Sequence, residues 1–191
     1  MENKVSMRKK KLKERNSLMH KSKEIFGKKL TKSFIKHTSS LNLRKVGLYF
    51  SIKTELPTDG IINYLEESKI RCFLPVISKN KNNKIMEFAE YKKNSKLIEN
   101  RFGIAEPARI NLINPLLIDL FLIPVVAFDK KGYRIGMGKG YYDTTFSRKD
   151  SVKNYKIWGI CYDFQETDTC YPEEHDLKMD AIIRPSGIQK F

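Results

Sequence analysis

Residues 116–128, LLIDLFLIPVVAF, form the longest apolar run of the chain, and its pairing with a glycine-rich segment just beyond limits the fold more than any other feature. Asp119 and Pro124 break the run, so it is too short to span a bilayer and reads instead as a strand buried on both faces, centred on residues 118–128. Soon after it, residues 132–146 read GYRIGMGKGYYDTTF. Glycines let backbone N–H groups approach an anion, a following helix adds its positive end, and Arg134 and Lys139 add full charges. Gly136, Gly138 and Gly140 read G-x-G-x-G, which fits neither the dinucleotide turn G-x-G-x-x-G nor the P-loop G-x-x-x-x-G-K-[ST]. The segment is a phosphate-site candidate outside both common nucleotide classes. A glycine-rich turn before an ordinary helix is compatible with the same letters.

Around this segment, strands and helices alternate. Val5, Leu12, Met19 and Phe26 recur every seven residues, with Leu18, Ile25, Leu30, Phe34 and Ile35 widening the stripe. That spacing predicts amphipathic helix, interrupted at Gly27 into two helices before the loop TSSLN. Residues 46–52 and 70–77 read as strands, and PTDGIINYLEES as a helix whose start is marked by Pro57 and Thr58. The tract SKNKNNK is a turn before the short alternating strand KIMEFAEY. Residues 94–115 carry little periodicity and read as an ordered surface excursion. A helix over 138–148 and strands over 155–162 and 181–184 complete the set. The expected fold is α/β and three-layered: a mainly parallel sheet covered by helices on both faces, with N-terminal helices, in a single domain over 1–191. In such sheets ligands sit at the carboxyl ends of the strands, where the glycine-rich turn lies.

The net charge of +15 is unevenly placed, since residues 1–45 hold 15 basic and 3 acidic side chains and the remainder 22 basic against 19 acidic. A basic helical region of this kind suits nucleic acid, an acidic membrane or polyphosphate substrates. An AT-rich coding bias gives the same Lys, Asn and Ile content without functional meaning. Hydrophobic residues at 40% and aromatics at 11% exclude a wholly disordered chain. Cys72, Cys161 and Cys170 include no C-x-x-C pair, and His20, His37 and His175 have no metal-ligand spacing. MENKVSMRKKK has a basic start without an apolar stretch behind it, so a cytoplasmic protein without a secretory signal is expected.

The stretch FLIPVVAFDKKGYRIGMGKGYYD resembles the signature of the 5-formyltetrahydrofolate cyclo-ligase (5,10-methenyltetrahydrofolate synthetase) family, roughly P-G-x-x-F-[DT]-x-x-G-x-R-[LI]-G-x-G-x-G-Y-Y-D. Pro124, Phe128, Asp129, Gly132, Arg134, Gly136, Gly138, Lys139, Gly140, Tyr141, Tyr142 and Asp143 fall in step, while Val125 departs where the family often has Gly. KVSMR is similar to the family's K-x-x-[LM]-R, YFSIKTELPT to its folate-holding strand and turn, FGIAEP to the loop before its central strand, and HDLKMDAII to its C-terminal H-D-x-x-[LMV]-D segment.

The resemblance implies ATP- and magnesium-dependent cyclisation of 5-formyltetrahydrofolate, with Mg2+ as cofactor and ATP as co-substrate. It implies Lys4, Val5, Ser6, Met7 and Arg8 as ATP-binding, together with Arg134, Ile135, Gly136, Met137, Gly138, Lys139, Gly140, Tyr141 and Tyr142. Phe50 and Glu55, with Met137, Gly138, Lys139, Gly140 and Tyr141, fall on substrate-contacting positions. Arg134 and Lys139 take the catalytic role of neutralising phosphate oxygens, and Asp143 and Asp180 the magnesium-ligand positions. Each also has a plain alternative: Asp143 favouring a helix dipole, Asp180 pairing with Lys178, Phe50 as strand core. The implied partners are small molecules, with neither nucleic acid nor membrane expected, on a monomer or weak homodimer. Two other classes remain open: another ATP-using kinase or ligase on the same scaffold, and a basic nucleic-acid-binding protein. The latter needs aromatics interleaved with its cations, whereas Phe26 and Phe34 fall on the apolar stripe.

Overall fold

In a computed structural model the chain is described over residues 2–146 and 154–191. Helix α1 (Lys4–Asn16) starts at Asn3, whose side chain accepts from the N–H groups of Val5 and Ser6 while Ser6 reciprocates. A break at residues 17–19 separates it from α2 (His20–Thr38), so the helix division lies there and not at Gly27. Gly27 sits inside α2 for a packing reason: a Cβ there would meet Pro57 Cβ at 3.1 Å. The break also shifts the helical register, so the heptad stripe does not stay on one face. Val5, Met19 and Ile25 are exposed, while Leu30 and Phe34 are in the core.

The eight-stranded sheet has the order β12-β11-β10-β7-β1-β2-β3-β6. Strand β1 (Lys45–Gly47) pairs in parallel with β2 (Arg71–Val76) and with β7 (Leu120–Pro124). Strand β10 (Lys156–Ile160) pairs in parallel with β7 and with β11 (Ala181–Arg184). The flanks are antiparallel: β12 (Gly187–Lys190) on β11, β3 (Glu87–Tyr91) on β2, and β6 (Leu112–Ile113) on β3. The mainly parallel sheet is as the alternation of elements predicts. Residues 94–115, which carry no sequence period, contain a hairpin of β4 (Leu97–Glu99) and β5 (Ala105–Pro107) as well as β6.

One face of the sheet is covered by α2 and by α3 (Asp59–Glu67), where Leu30, Phe34, Ile61 and Leu65 meet Val46, Leu120, Trp158 and Ile183. The Thr58 hydroxyl precedes α3 but does not cap it; it donates to the Tyr49 carbonyl and ties the helix start to the end of β1. The other face carries a shorter layer. Helix α4 (Tyr141–Phe146) and the hairpin of β8 (Ala127–Phe128) with β9 (Arg134–Ile135) lie there, with Phe146 against Phe121 and Phe88. The helix expected over 138–148 is α4, preceded by the glycine loop; residues 147 and 148 lie outside the described residues.

At the amino edge of the sheet, carboxylates fasten neighbouring strands. Asp119 accepts from the N–H groups of Arg44 and Lys45 at 2.7 and 2.8 Å, and Asp180 from that of Ile157 at 2.6 Å. In the middle, β1 passes so close to Phe121 that a Cβ on Gly47 would lie 2.4 Å from the ring, which Phe88, Phe146 and Tyr155 hold in place. Gly47→Ala is expected to lower stability by about 1–3 kcal/mol through overpacking. Urea unfolding checks this, and a variant within about 0.5 kcal/mol of the parent, the scale of a typical surface change, would refute the fixed-ring account.

Candidate active site

The elements meet around a cavity of about 610 Å³ at the carboxyl ends of β1, β2 and β7, within the range of small-molecule sites. The glycine loop does not join the central strand directly. Strand β7 ends at Pro124, and the carbonyls of Val125 and Val126 both accept from the buried Gln165 amide at 2.7 Å. The β8–β9 hairpin intervenes, and Asp129 shapes its turn. One Asp129 oxygen takes the N–H groups of Lys131 and Tyr133, and the other takes that of Cys170 at 2.9 Å. This turn sets the position of Arg134.

Arg134 is buried, its Nη2 donating to Asp143 Oδ1 at 3.0 Å and its guanidinium facing the Tyr142 ring at 5.6 Å. Its Nε has no hydrogen-bond partner among the described residues, which leaves a buried donor of a full cation unsatisfied at the cavity. Gly136 leaves room for this group, because a Cβ there would lie 2.6 Å from Arg134 Nη1. Gly138 and Gly140 have φ of 83° and 77°, a region that side-chain-bearing residues rarely adopt.

Helix α1 lies across the loop. Arg8 Nε donates to the Gly136 carbonyl at 2.7 Å, and its guanidinium carbon is 3.3 Å from where a Gly138 Cβ would stand. Lys4, one turn earlier, meets Asp176 and lies 3.5 Å from Glu173. The residues between them do not face the cavity: Val5 is exposed, Ser6 caps its own helix, and Met7 packs with Ala127, Ile135 and Cys170. Ile135 is likewise in the core because strand alternation turns it away from Arg134. Of the KVSMR positions, only Lys4 and Arg8 line the cavity.

The two expected metal ligands are not brought together. Asp143 lines the cavity, where its Oδ1 also accepts from the Leu177 N–H at 3.3 Å. Asp180 is at the amino edge of the sheet, the opposite end of β11 from the site, bonded to Ile157. In that segment the carboxylate that lines the cavity is Asp176, next in sequence to the Leu177 that Asp143 holds, and its Oδ2 accepts from Lys4 and from the Glu173 N–H. Both aspartates lie in HDLKMD, and spacing alone does not tell which one faces inward. Among the described residues no cluster of three or more His, Cys, Asp or Glu forms a metal site.

The remaining cavity wall is mostly apolar. Phe50 stands edge-on to Tyr91 at 5.1 Å, and Leu74, Ile77 and Ile104 lie around it. Glu55 is buried, and burial pushes its carboxyl above the usual range, opposed by the Ile52 N–H at 3.1 Å and by the Arg15 charge. Burial holds the phenols of Tyr49 and Tyr142 protonated and pushes that of Tyr162 up to about 12. From the β4–β5 hairpin, Phe102 meets the Tyr141 ring at 6.0 Å and the Lys139 ammonium at 5.6 Å, while Arg101 donates to the Tyr141 hydroxyl. The hairpin tip thus rests on the glycine loop, a contact that no local sequence signal announces. Met137 is half exposed beside it.

Residues 1–185 match the 5-formyltetrahydrofolate cyclo-ligase family model. The chain is 28% identical over 176 residues to the 5-formyltetrahydrofolate cyclo-ligase of Escherichia coli K12, covering 91% of this chain and 96% of that one. It is 35% identical to the enzyme of the same name from Mycoplasma genitalium, covering 74% of this chain and 72% of that one. The solved 5,10-methenyltetrahydrofolate synthetase of Mycoplasma pneumoniae superposes with a TM-score of 0.77 at 27% identity, over 96% of this chain and 99% of that one. The Aquifex aeolicus 5,10-methenyltetrahydrofolate synthetase gives 0.78 at 27% identity, over 98% and 92%. The match runs from the helix that bears Lys4 and Arg8 through the glycine loop to β11, and the chain belongs to the 5-formyltetrahydrofolate cyclo-ligase family.

Proposed function

We propose that this chain, acting as one domain, closes 5-formyltetrahydrofolate to 5,10-methenyltetrahydrofolate at the expense of ATP, releasing ADP and phosphate. The observation that carries the reading is Arg134: a buried guanidinium whose Nε has no partner among the described residues, fixed by Asp143 at the mouth of a glycine loop. A formamide oxygen is a poor leaving group. Transfer of the γ-phosphoryl onto it forms an O–P bond as the bond to ADP breaks. N10 then attacks the formyl carbon and loses its proton, and the C–O bond breaks with departure of phosphate. No protein nucleophile is needed, so the protein acts by positioning and by charge.

Arg134 and Lys139 would neutralise the transferring phosphoryl group, with Arg8 and Lys4 on the nucleotide side and the glycine-loop amides as further donors. The apolar wall with Phe50 fits a flat heterocycle, and buried Glu55 suits its N–H groups. Asp143 and Asp176 would hold magnesium, whose usual demand is one or two carboxylates plus substrate phosphates and water. When bound, that ion supplies neutralisation of phosphate charge.

Purified protein with ATP, magnesium and 5-formyltetrahydrofolate is expected to develop methenyl absorbance in step with ADP. ADP release that is equal with and without the folate would overturn the reading. Lys139→Ala is expected to lower turnover by about 100-fold while the fold survives, the usual scale for one preorganised donor; a loss below about threefold assigns Lys139 to the solvated surface.

For the metal, Asp143→Asn and Asp176→Asn are each expected to move the magnesium titration of activity to higher concentration. Asp180→Asn is expected to keep the parental titration and lower the unfolding midpoint instead. A displaced titration in the Asp180 variant, with Asp176→Asn unchanged, would reverse the assignment.

A further inference from the structure

Helix α1 docks on the body through four cations as well as through the buried Met7. Lys4, Arg8, Lys11 and Arg15 recur at helical spacing, and each docks on a different segment. Lys4 meets Asp176, Arg8 the Gly136 carbonyl, Lys11 the Phe164 carbonyl at 2.6 Å, and Arg15 Nε the Thr54 hydroxyl at 3.1 Å. The first two belong to the nucleotide end of the site. Arg15 is different in two respects: it is 5% exposed, and Thr54 is the neighbour of Glu55, itself 7% exposed. A cation this deep, bonded to the residue next to a buried carboxylate, is costly unless the two charges answer each other. Thr54 in turn donates to Asn16 at 2.9 Å, so the end of α1 and the Glu55 loop are joined by two consecutive hydrogen bonds.

We propose that Arg15 is a positioning residue for the folate end of the site: anchored through Thr54, it supplies the buried positive charge that keeps Glu55 ionised and aimed for the substrate's N–H groups. The inference rests on the assignment of 5-formyltetrahydrofolate to this cavity. The groups acting on Glu55 from the elements around it are Arg15 of α1, Tyr49 after β1, Tyr142 of α4 and Tyr162 after β10, with Lys53 on the same loop lining the cavity. The three phenols have their pKa raised and stay neutral, so Arg15 is the cation acting on Glu55 from outside that loop. Its charge opposes the burial that raises the carboxyl. Arg15 is about 10 Å along the helix from Arg8, seven residues at 1.5 Å each, so it acts on the folate and not on the nucleotide phosphates.

That opposition sets the sign of the effect. Removing Arg15 raises the Glu55 pKa further, so the ionised form is lost at a higher pH and the acid limb of kcat/KM for folate moves to higher pH. In Arg15→Gln, side-chain carbon NMR of the free protein is expected to show the Glu55 titration displaced to higher pH, because an opposing charge has been removed. The KM for 5-formyltetrahydrofolate is expected to rise about tenfold or more, with the KM for ATP within about twofold of the parent. Arg15→Lys restores most of the pH profile. In a Glu55→Gln background, Arg15→Gln adds little further loss, since the two act as a pair.

An unmoved Glu55 titration, equal rises in both KM values, or additive losses in the double variant would each overturn the proposal while leaving the activity of the unmodified protein intact. Absence of methenyl product with unmodified protein is the separate signature of a failed functional reading. If Arg15→Gln does not fold, Thr54→Val removes the anchor and keeps the charge, and it must show a smaller shift of the same sign for the proposal to stand.

Discussion

The contact between Arg134 and Asp143 holds the site together. A guanidinium out of water requires a counter-charge, and losing one member of such a pair commonly costs on the order of 3–5 kcal/mol because the other is stranded. Asp143 meets that need with one oxygen, the same oxygen that receives the Leu177 N–H. Strand β9, helix α4 and the 173–177 segment are therefore fixed relative to one another by one carboxylate. The Asp129 turn on one side and Gly136 on the other bring Arg134 to that point without collision. What the pair leaves over is a guanidinium whose Nε has no hydrogen-bond partner among the described residues, on a cavity that Asp143 and Asp176 also line.

Much of this is legible in the letters because it is local. The glycine loop, Arg134, Lys139 and Asp143 lie within ten residues, and the alternation of strands and helices forces their place at the carboxyl ends. What a motif does not carry is direction. Lys4 and Arg8 face the cavity while Val5, Ser6 and Met7 do not, simply because a helix turns about 100° per residue. Asp176 and Asp180 are four residues apart on an extended path, so they reach opposite ends of the sheet. The α1–α2 division is hidden because Gly27 is a weak helix former, but it is required where Pro57 crowds α2. The hairpin over residues 97–107 is hidden because its support is long-range: Glu106 accepts from Ile77 and Asn100, and the tip rests on Tyr141.

Helix α1 departs from the amphipathic expectation in an informative way. A helix that covers a core presents apolar residues inward; α1 buries Met7 but otherwise docks Lys4, Arg8, Lys11 and Arg15 on polar groups, leaving Val5 to solvent. Its low hydrophobicity is a consequence of what it lies on. The strong basic excess of the first 45 residues is thus not one property: part of it is docked on carbonyls and carboxylates inside the molecule, and part, Lys9, Lys10 and Lys13 among it, is exposed.

Asp119 and Asp180 give the sheet two chemically different borders. At the amino border carboxylates accept backbone N–H groups of neighbouring strands, and at the carboxyl border Asp143 and Asp176 line the cavity. Natural variation in aspartate therefore carries opposite meanings according to border. Loss of an amino-border carboxylate removes protein from the cell by loosening the sheet, and surviving molecules work normally. On the proposed function, loss of Asp176 at the carboxyl border would spare abundance and lower the output of each molecule, whereas loss of Asp143 would lower both, because it strands Arg134. Variant maps read for protein level and for catalytic output would divide this fold along a plane across the strands.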